Sequence, residues 1–269
     1  MIVTDDFVVL NWPKTGSTFI RHTLKELYEK RENKLKRFLI QQKIMKSAYY
    51  KELLLPILWN DLAARENRHN QHGAFWQIPA EHQHKNIVAA VRNPFDRIVS
   101  MYEFSFWKKH PHGEESELKK DFPNYPDINF DEFYQMTNKY GRRLLLGDKL
   151  SPKVEVGTQT IEFIKFFFEN PTEIINEKLT DEYIDSGAFK HDLPNINFLH
   201  TENLNQELYD FLLTMNLPKT EIDFIVNKDR INVSKRRSKK WQNYISPETQ
   251  ATIRQKERML FMLFPEYAS

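Results

Sequence analysis

The residues that most clearly indicate chemistry form a short polar turn near the start of the chain. The turn reads Pro-Lys-Thr-Gly-Ser-Thr at residues 13–18 and directly follows the apolar run Phe7–Leu10. We interpret this run as a buried strand and predict that a helix extends from about Thr18 to Lys30. The N-terminus of a helix offers free backbone N–H groups and the positive end of the helix dipole. The turn is therefore predicted to bind a phosphate or sulfate group.

The turn also supplies a charge and several hydrogen-bond donors. Lys14 contributes a full positive charge, and hydroxyl groups come from Thr15, Ser17 and Thr18. A Walker A nucleotide loop requires an earlier glycine, four spacer residues and then Gly-Lys followed by Ser or Thr. Here the lysine precedes Gly16 and no glycine comes before it, so the predicted cradle is shorter than a nucleoside triphosphate loop. The competing interpretation is an ordinary helix start, capped by Ser17 or Thr18, with an incidental lysine.

A second group of polar residues follows another apolar run. Residues 87–91 read Ile-Val-Ala-Ala-Val, which is typical of a buried parallel strand, and Arg-Asn-Pro-Phe-Asp-Arg-Ile-Val-Ser-Met-Tyr occupies residues 92–102. The proline suits the first turn of a helix, and Arg92 would lie at the carboxyl end of the strand, where open α/β sheets bind ligands. Arg92 and Ser100 could form a second anion site. An equally good interpretation pairs Arg92 with a structural carboxylate such as Asp96.

Two anion sites at neighbouring strand ends indicate a ligand with two separated anionic groups. The turn at 13–18 resembles the 5′-phosphosulfate loop of sulfotransferases that use 3′-phosphoadenosine-5′-phosphosulfate (PAPS), and the segment 92–102 resembles their 3′-phosphate motif. The similarity extends to residues 156–164, to residues 198–204 and to a basic segment near Asn232. These pieces are most similar to the carbohydrate branch, which includes the uronyl 2-O-type enzymes. The resemblance implies a P-loop-like sulfotransferase fold and an enzyme that moves a sulfuryl group to an acceptor hydroxyl, releases the 3′,5′-bisphosphate PAP and requires no metal.

The resemblance also assigns roles to individual residues. Lys14 would stabilise the charge that develops on the leaving phosphate, because in-line transfer depends on positioning and electrostatics. Arg92 and Ser100 would contact the 3′-phosphate. The residues implied to hold the 5′-phosphosulfate are Lys14, Thr15, Gly16, Ser17 and Thr18.

A basic segment near the C-terminus places five cations in the six positions 235–240. Without further context, such a run indicates a solvated charged surface or a weak nucleic-acid patch. In the family that the chain resembles, a basic late loop folds over the nucleotide and reaches the 3′-phosphate. The resemblance therefore implies this role for some of Lys235, Arg236 and Arg237, and it implies no nucleic-acid partner.

His72 is the candidate general base for the acceptor hydroxyl, and we predict that a strand begins at this residue. Its His-Gly pair resembles the segment that carries the catalytic histidine in uronyl 2-O-type sulfotransferases, although those enzymes have a second histidine where this chain has Ala74. An imidazole titrates near neutral pH, which suits a general base. The alternative is a surface histidine in a histidine-rich stretch. If His72 is not the base, the next candidates are His69, His82 and His84.

The composition bounds the class of protein. The chain has 269 residues, of which 40% are hydrophobic, so we predict one sulfotransferase domain over residues 1–269 with a large core. The formal net charge is only +2, so affinity for anions must come from local clusters of charge. There are no cysteines, and the N-terminal sequence resembles neither a signal peptide nor a membrane span. We therefore expect a soluble, cytoplasmic protein.

Further apolar patterns outline the rest of the fold. They predict helices at 130–146, 158–169 and 204–215 and a strand at 196–199, whereas the charged and proline-bearing stretch 108–130 is predicted to be a long surface loop. Residues 31–71 are polar and helical in composition. Alternating strands and helices favour an α/β fold with a central parallel sheet flanked by helices on both faces.

The acceptor is not identified by the sequence. A glycan hydroxyl is the first candidate because of the family branch, followed by a small alcohol, a phenol or a tyrosine peptide. A different class of function also remains open at this stage, namely an ATP-using small-molecule kinase or a non-catalytic nucleotide-binding α/β protein.

Overall fold

The computed structural model describes residues 1–31, 50–56, 69–229 and 240–268. Its main sheet has five strands in the order β3-β1-β2-β6-β7. Strands β2, β6 and β7 are parallel, which confirms the predicted parallel centre, and the antiparallel strands β1 and β3 extend one edge. A separate antiparallel pair is formed by β4 and β5. The strand bounds are β1 Ile2–Thr4, β2 Phe7–Leu10, β3 Tyr50–Glu52, β4 Leu55–Pro56, β5 His69–Asn70, β6 Asn86–Val91 and β7 Ile196–His200.

The register of the parallel strands brings the two predicted anion sites together. All four residues of β2 are buried, as are the last five of β6, because helices cover both faces of this part of the sheet. Leu10 pairs with Ala89 across the β2–β6 ladder. The chain leaves both strands at the same edge, so Lys14 and Arg92 follow neighbouring strand ends.

Fourteen α-helices occur in the described ranges. Three of them are the next α-helices after the parallel strands: Ser17–Arg31 after β2, Pro94–Phe104 after β6 and Leu204–Thr214 after β7. The bounds are α1 Ser17–Arg31, α2 Pro94–Phe104, α3 Phe106–Lys109, α4 Glu115–Asp121, α5 Phe130–Met136, α6 Arg142–Leu146, α7 Thr158–Phe167, α8 Pro171–Glu173, α9 Asp181–Asp185, α10 Phe189–Asp192, α11 Leu204–Thr214, α12 Lys219–Ile222, α13 Pro247–Lys256 and α14 Arg258–Leu263.

The alternating faces of β6 divide the interior into two cores. Val88 and Ala90 pack with apolar residues of α1 and α11. Ala89 and Val91 face the other way, where α2, α5, α7 and α14 contribute a larger core that is rich in phenylalanine. This two-sided burial explains why β6 reads as a continuous apolar run rather than an alternating one.

Most of the elements predicted from apolar periodicity are confirmed. The predicted helices that start at 158 and 204 end at Phe167 and Thr214, and the strand at 196 continues to His200. The predicted helix at 130–146 is present as α5 and α6, which are joined by a π-helical turn at Thr137–Gly141.

Two stretches differ from their predictions. The predicted surface loop at 108–130 contains α4, whose Leu118 is fully buried, and Phe122 and Tyr125 are buried as well. The few apolar residues that become buried are hard to recognise in the sequence, because many charged residues surround them. The stretch 31–71, read as helical in composition, contributes β3, β4 and β5 in its described part, because backbone pairing with a neighbouring strand overrides weak helical propensity.

Candidate anion site at the ends of β2 and β6

The turn after β2 has a backbone shaped for close approach of a ligand. Lys14 and Gly16 have φ values of 67° and 89°, in the left-handed region that disfavours most residues with a side chain. A Cβ atom on Gly16 would lie 2.7 Å from a terminal methyl group of Leu204, which would have to move, and the positive φ itself favours glycine here. The Thr15 hydroxyl donates a 2.8 Å hydrogen bond to the carbonyl of Trp12, which closes the turn.

The helix that follows the turn begins at Ser17, one residue earlier than predicted. Its first turn contains no acidic residue, so no side-chain carboxylate from that turn neutralises the positive end of the helix dipole. The first N–H groups of a helix have no acceptor within the helix. Ser17 is buried and Thr18 is half-buried. Lys14 lies only three positions before Ser17, so its charge is close in the chain to the first N–H donors of α1.

The electrostatic surroundings of Lys14 favour an incoming anion. Burial, together with the positive charges of Arg92 and Arg97, lowers the pKa of Lys14 to about 8. The ammonium group lies 3.9 Å from the centroid of the Phe104 ring. An anionic ligand would relieve the repulsion among the three cations, so the turn is prepared to bind negative charge.

Arg92 connects the end of β6 to the turn after β2. Its Nη1 group donates a hydrogen bond of 3.4 Å to the carbonyl of Lys14. The next residue, Asn93, caps α2 by accepting a 2.9 Å hydrogen bond from the N–H of Phe95. Ser100 is half-buried in α2, about two helical turns beyond this cap. The structure therefore brings Arg92 directly to the turn and places Ser100 farther along the adjoining helix.

Arg97 was not predicted to support the site, yet its side chain contacts the backbone and a side chain of the turn after β2. It is 1% exposed, its Nε donates a 3.1 Å hydrogen bond to the carbonyl of Pro13, and its guanidinium lies 3.9 Å from the centre of the Trp12 ring. On its other side it pairs with Glu162 at 2.5 Å and donates to Gln159 at 3.2 Å. One feature of the sequence could have indicated this role, because Arg97 lies among apolar residues of a helix. A buried arginine requires hydrogen-bonding or charged partners.

Thr201 was also missed as an individual residue, although its segment carried part of the family resemblance. Its hydroxyl lies 2.7 Å from the carbonyl of Thr15 and 2.6 Å from that of Val91. The first carbonyl belongs to the turn after β2 and the second to the end of β6. Thr201, which follows β7, thus fastens the ends of the other two parallel strands to each other.

His72 lies close to the turn but outside any strand. It follows β5 in an irregular segment, whereas a strand was predicted to begin there, and its Nδ1 atom is 2.5 Å from the carbonyl oxygen of Asn11. A carbonyl only accepts hydrogen bonds, so Nδ1 carries the proton and Nε2 keeps the lone pair in the neutral ring. Burial lowers the pKa of His72, which favours this neutral form. A Cβ atom on Gly73 would lie 2.5 Å from the Leu55 side chain, which explains the glycine beside this histidine.

The remaining candidates fall elsewhere. His84 comes two residues before β6, at the opposite end of that strand from Arg92. Lys235, Arg236 and Arg237 lie outside the described residues. Among the described residues, no group of three or more histidine, aspartate or glutamate side chains is arranged to hold a metal ion. In the same part of the chain, no helix has the length and apolar character needed to cross a membrane.

Comparison with known proteins identifies a family. The model of the sulfotransferase family matches residues 2–181, a range that includes Lys14, His72, Arg92 and Ser100. No curated protein shows significant similarity to the chain. The matched range ends before β7, although β7 pairs with β6 in the same sheet and residues after 181 contribute to both cores.

Proposed function

The chain belongs to the sulfotransferase family, a family of transferases that move sulfuryl groups, and on this basis we propose that it is a PAPS-dependent O-sulfotransferase. We further propose that residues 1–269 form one catalytic domain and that the acceptor hydroxyl belongs to a carbohydrate. One observation carries the proposal: Lys14, under strong positive potential, stands beside the N-terminus of α1 and is tied through its carbonyl to Arg92 at the neighbouring strand end.

Lys14 is assigned to the leaving phosphate. In the reaction, the acceptor oxygen forms a bond to sulfur while the bond from sulfur to the bridging phosphate oxygen breaks. The electron pair of that bond stays on the phosphate, whose negative charge rises as the transition state forms. A preorganised ammonium group near that oxygen lowers the barrier because it stabilises charge that is absent from the ground state.

The 5′-phosphosulfate is assigned to the turn and to the start of α1. The first backbone N–H groups of α1 have no acceptor within the helix, so those of Ser17 and Thr18, with that of Gly16 and the Thr18 hydroxyl, are assigned to the anion. The Thr15 hydroxyl already donates to the carbonyl of Trp12, so we assign to Thr15 mainly a role in shaping the turn.

The 3′-phosphate is assigned to Arg92 and Ser100, with help from Lys235, Arg236 and Arg237. A guanidinium group offers five N–H donors, so the bond from Arg92 to the carbonyl of Lys14 leaves donors for a phosphate. Because that bond also braces the turn, Arg92 would connect occupancy of one anion site to the shape of the other.

His72 is assigned to the acceptor. Its Nε2 lone pair can take the proton of the attacking hydroxyl, while the bond from Nδ1 to Asn11 fixes the tautomer and the ring orientation. The imidazolium that forms would keep this hydrogen bond. Asn11 directly follows β2 and stands three positions before Lys14, so the same strand end supports both the proposed base and the proposed electrostatic catalyst.

Ligand-induced stabilisation tests the proposal directly. PAP, the 3′,5′-bisphosphate product, should raise the melting temperature of the protein, and at 100 times its Kd it should add about 2.7 kcal/mol to the free energy of unfolding. ATP with magnesium is the comparison ligand, because it would occupy a kinase site. Stabilisation by ATP and not by PAP would contradict the proposal. A screen of sugars, phenols, small alcohols and tyrosine peptides with labelled PAPS would then identify the acceptor.

A further inference from the structure

The contact between Lys14 and Phe104 joins the turn after β2 to the end of α2. The ammonium nitrogen lies 3.9 Å from the centroid of the ring, within the distance of a cation–π interaction. Phe104 is 62% exposed, so its ring belongs to neither core. Burial of apolar surface therefore does not account for a phenylalanine at this position.

Lys14 has few favourable partners. In the described parts of the chain, no carboxylate forms an ion pair with it, and the nearby charges that change its pKa are the guanidinium groups of Arg92 and Arg97. Glu162 is already paired with Arg97. The negative face of the Phe104 ring therefore attracts the ammonium group. This attraction favours the charged form of Lys14, whereas burial and the two arginines disfavour it.

The backbone around Phe104 defines the place from which its side chain extends. Phe104 is the last residue of α2, and Ser105 ends the helix with a φ of 54° and an N–H that donates to the carbonyl of Tyr102 at 3.0 Å. The next helix, α3, starts immediately at Phe106. Phe104 is therefore held at the corner between two helices and is not part of a long loop.

We propose that Phe104 is a positioning residue for Lys14, whose ring holds the ammonium group beside the turn at 13–18 before the sulfuryl donor binds. The inference rests on the proposed function of Lys14. When the donor arrives, its anionic oxygen replaces the ring as the partner of the ammonium group. Because the contact is with an exposed ring and not a carboxylate, the exchange breaks no ion pair.

Titration of the Lys14 amine tests this proposal without any need for an acceptor. The rate at which trace acetic anhydride acylates Lys14 is measured against pH by mass spectrometry, since only the neutral amine reacts. The wild-type midpoint is expected at about 8. Phe104→Leu removes the ring and keeps an apolar side chain, and it should lower the midpoint by about 0.4–0.7 pH unit, the equivalent of an exposed cation–π contact.

Two variants serve as matched controls. Phe104→Tyr keeps an aromatic face and should keep the wild-type midpoint. Phe106→Leu removes a neighbouring ring that is also exposed and that stacks on Phe104 with a centroid distance of 6.1 Å. Within the described part of the chain, this ring makes no cation–π contact with Lys14. An unchanged midpoint in Phe104→Leu, or an equal shift in Phe106→Leu, would overturn the proposal. Circular dichroism confirms that each variant is folded.

Protection by PAP separates this inference from the proposed function. If PAP shields Lys14 from acylation in the wild type but Phe104→Leu has no effect on the midpoint, the positioning role is wrong and the proposed function stands. If the midpoint shifts as expected but PAP gives no protection, the positioning role stands and the assignment of Lys14 to the donor is wrong.

Discussion

Lys14 lies in the turn after β2 and Arg97 contacts that turn from α2, but the surroundings of these two cations differ. Arg97 is buried, paired with Glu162 and bonded to the carbonyl of Pro13. Lys14 is half-buried, repelled by two arginines and in contact with an exposed ring. A cation whose donors are already used supports the backbone, whereas a cation without an anionic partner can bind one. The partners of each cation therefore distinguish a structural role from a ligand-binding role more clearly than the choice of lysine or arginine does.

Loss of Arg97 should have the largest effect, and it should act on stability. Arg97→Met leaves the Glu162 carboxylate and the carbonyl of Pro13 without their donor, so the free energy of unfolding should fall by about 3–5 kcal/mol. Urea denaturation measures the change. Arg97→Met combined with Glu162→Leu removes both charges and should recover part of the loss. If Arg97→Met has normal stability but no longer binds the nucleotide, Arg97 contacts the ligand, and its proposed difference from Lys14 is wrong.

His72 is an intermediate case, because one ring nitrogen is held by Asn11 and the other keeps its lone pair. If it is the base, His72→Ala should lower turnover by about 10²–10⁴ with little change in nucleotide affinity. The ascending limb of the pH–rate profile should lie below the usual imidazole pKa in the wild type and vanish in the variant, because burial lowers the pKa of His72. His191→Ala, at an exposed histidine, is the control. Retention of turnover and of the limb would redirect the search to His69.

Lys14→Ala should lower turnover by about 10²–10³, the usual effect of losing one charge partner of a transition state. Stability should stay close to wild type, because the ammonium group supports no ion pair among the described residues. Lys25→Ala, which removes an exposed cation on α1, controls for the change in net charge. Turnover within a few fold of wild type would remove Lys14 from the mechanism.

Arg92 should affect one end of the nucleotide more than the other. Arg92→Ala is expected to weaken PAP binding about 10–100-fold, as for other charged hydrogen bonds, and to weaken binding of adenosine 5′-phosphosulfate, which lacks the 3′-phosphate, much less. Isothermal titration calorimetry measures both affinities. Equal losses for the two nucleotides would mean that Arg92 only braces the turn through its bond to Lys14.

The smallest effect should appear in the pH dependence of nucleotide affinity. An anion favours the charged form of Lys14, so binding raises the pKa of this group above its value of about 8 in the free protein. Affinity should therefore be constant below pH 8 and decrease above it, by at most about tenfold per pH unit, until the pKa of the complex is reached. Calorimetry from pH 6.5 to 9.5 checks this prediction. The same decrease in Lys14→Ala would assign the titration to another group.

The sequence was sufficient to predict the local structure around the candidate site. An apolar run, a polar turn and a helix are contiguous at β2 and again at β6, so Lys14, Arg92 and the start of α1 could be located without a structure. Contacts between distant segments were not predictable in this way. Thr201 binds a carbonyl 186 positions away, and nothing near either residue in the chain records that pairing. Strands β1 and β3 were missed for the same reason, since each has only three residues and is defined by its pairing with another segment.

The bridge made by Thr201 also has a consequence for synthesis of the chain on the ribosome. The turn after β2 is translated first, together with the helix that follows it, and its final shape depends on a hydroxyl that is translated 186 positions later. Domains are made from the N-terminus at about 5–20 residues per second, so this delay lasts roughly 10–40 seconds. Once residue 102 has been translated, the nascent chain carries both proposed nucleotide motifs but still lacks β7, the strand that precedes Thr201. A nucleotide bound as proposed would therefore meet the complete turn only after Thr201 has been made, late in the synthesis of the chain.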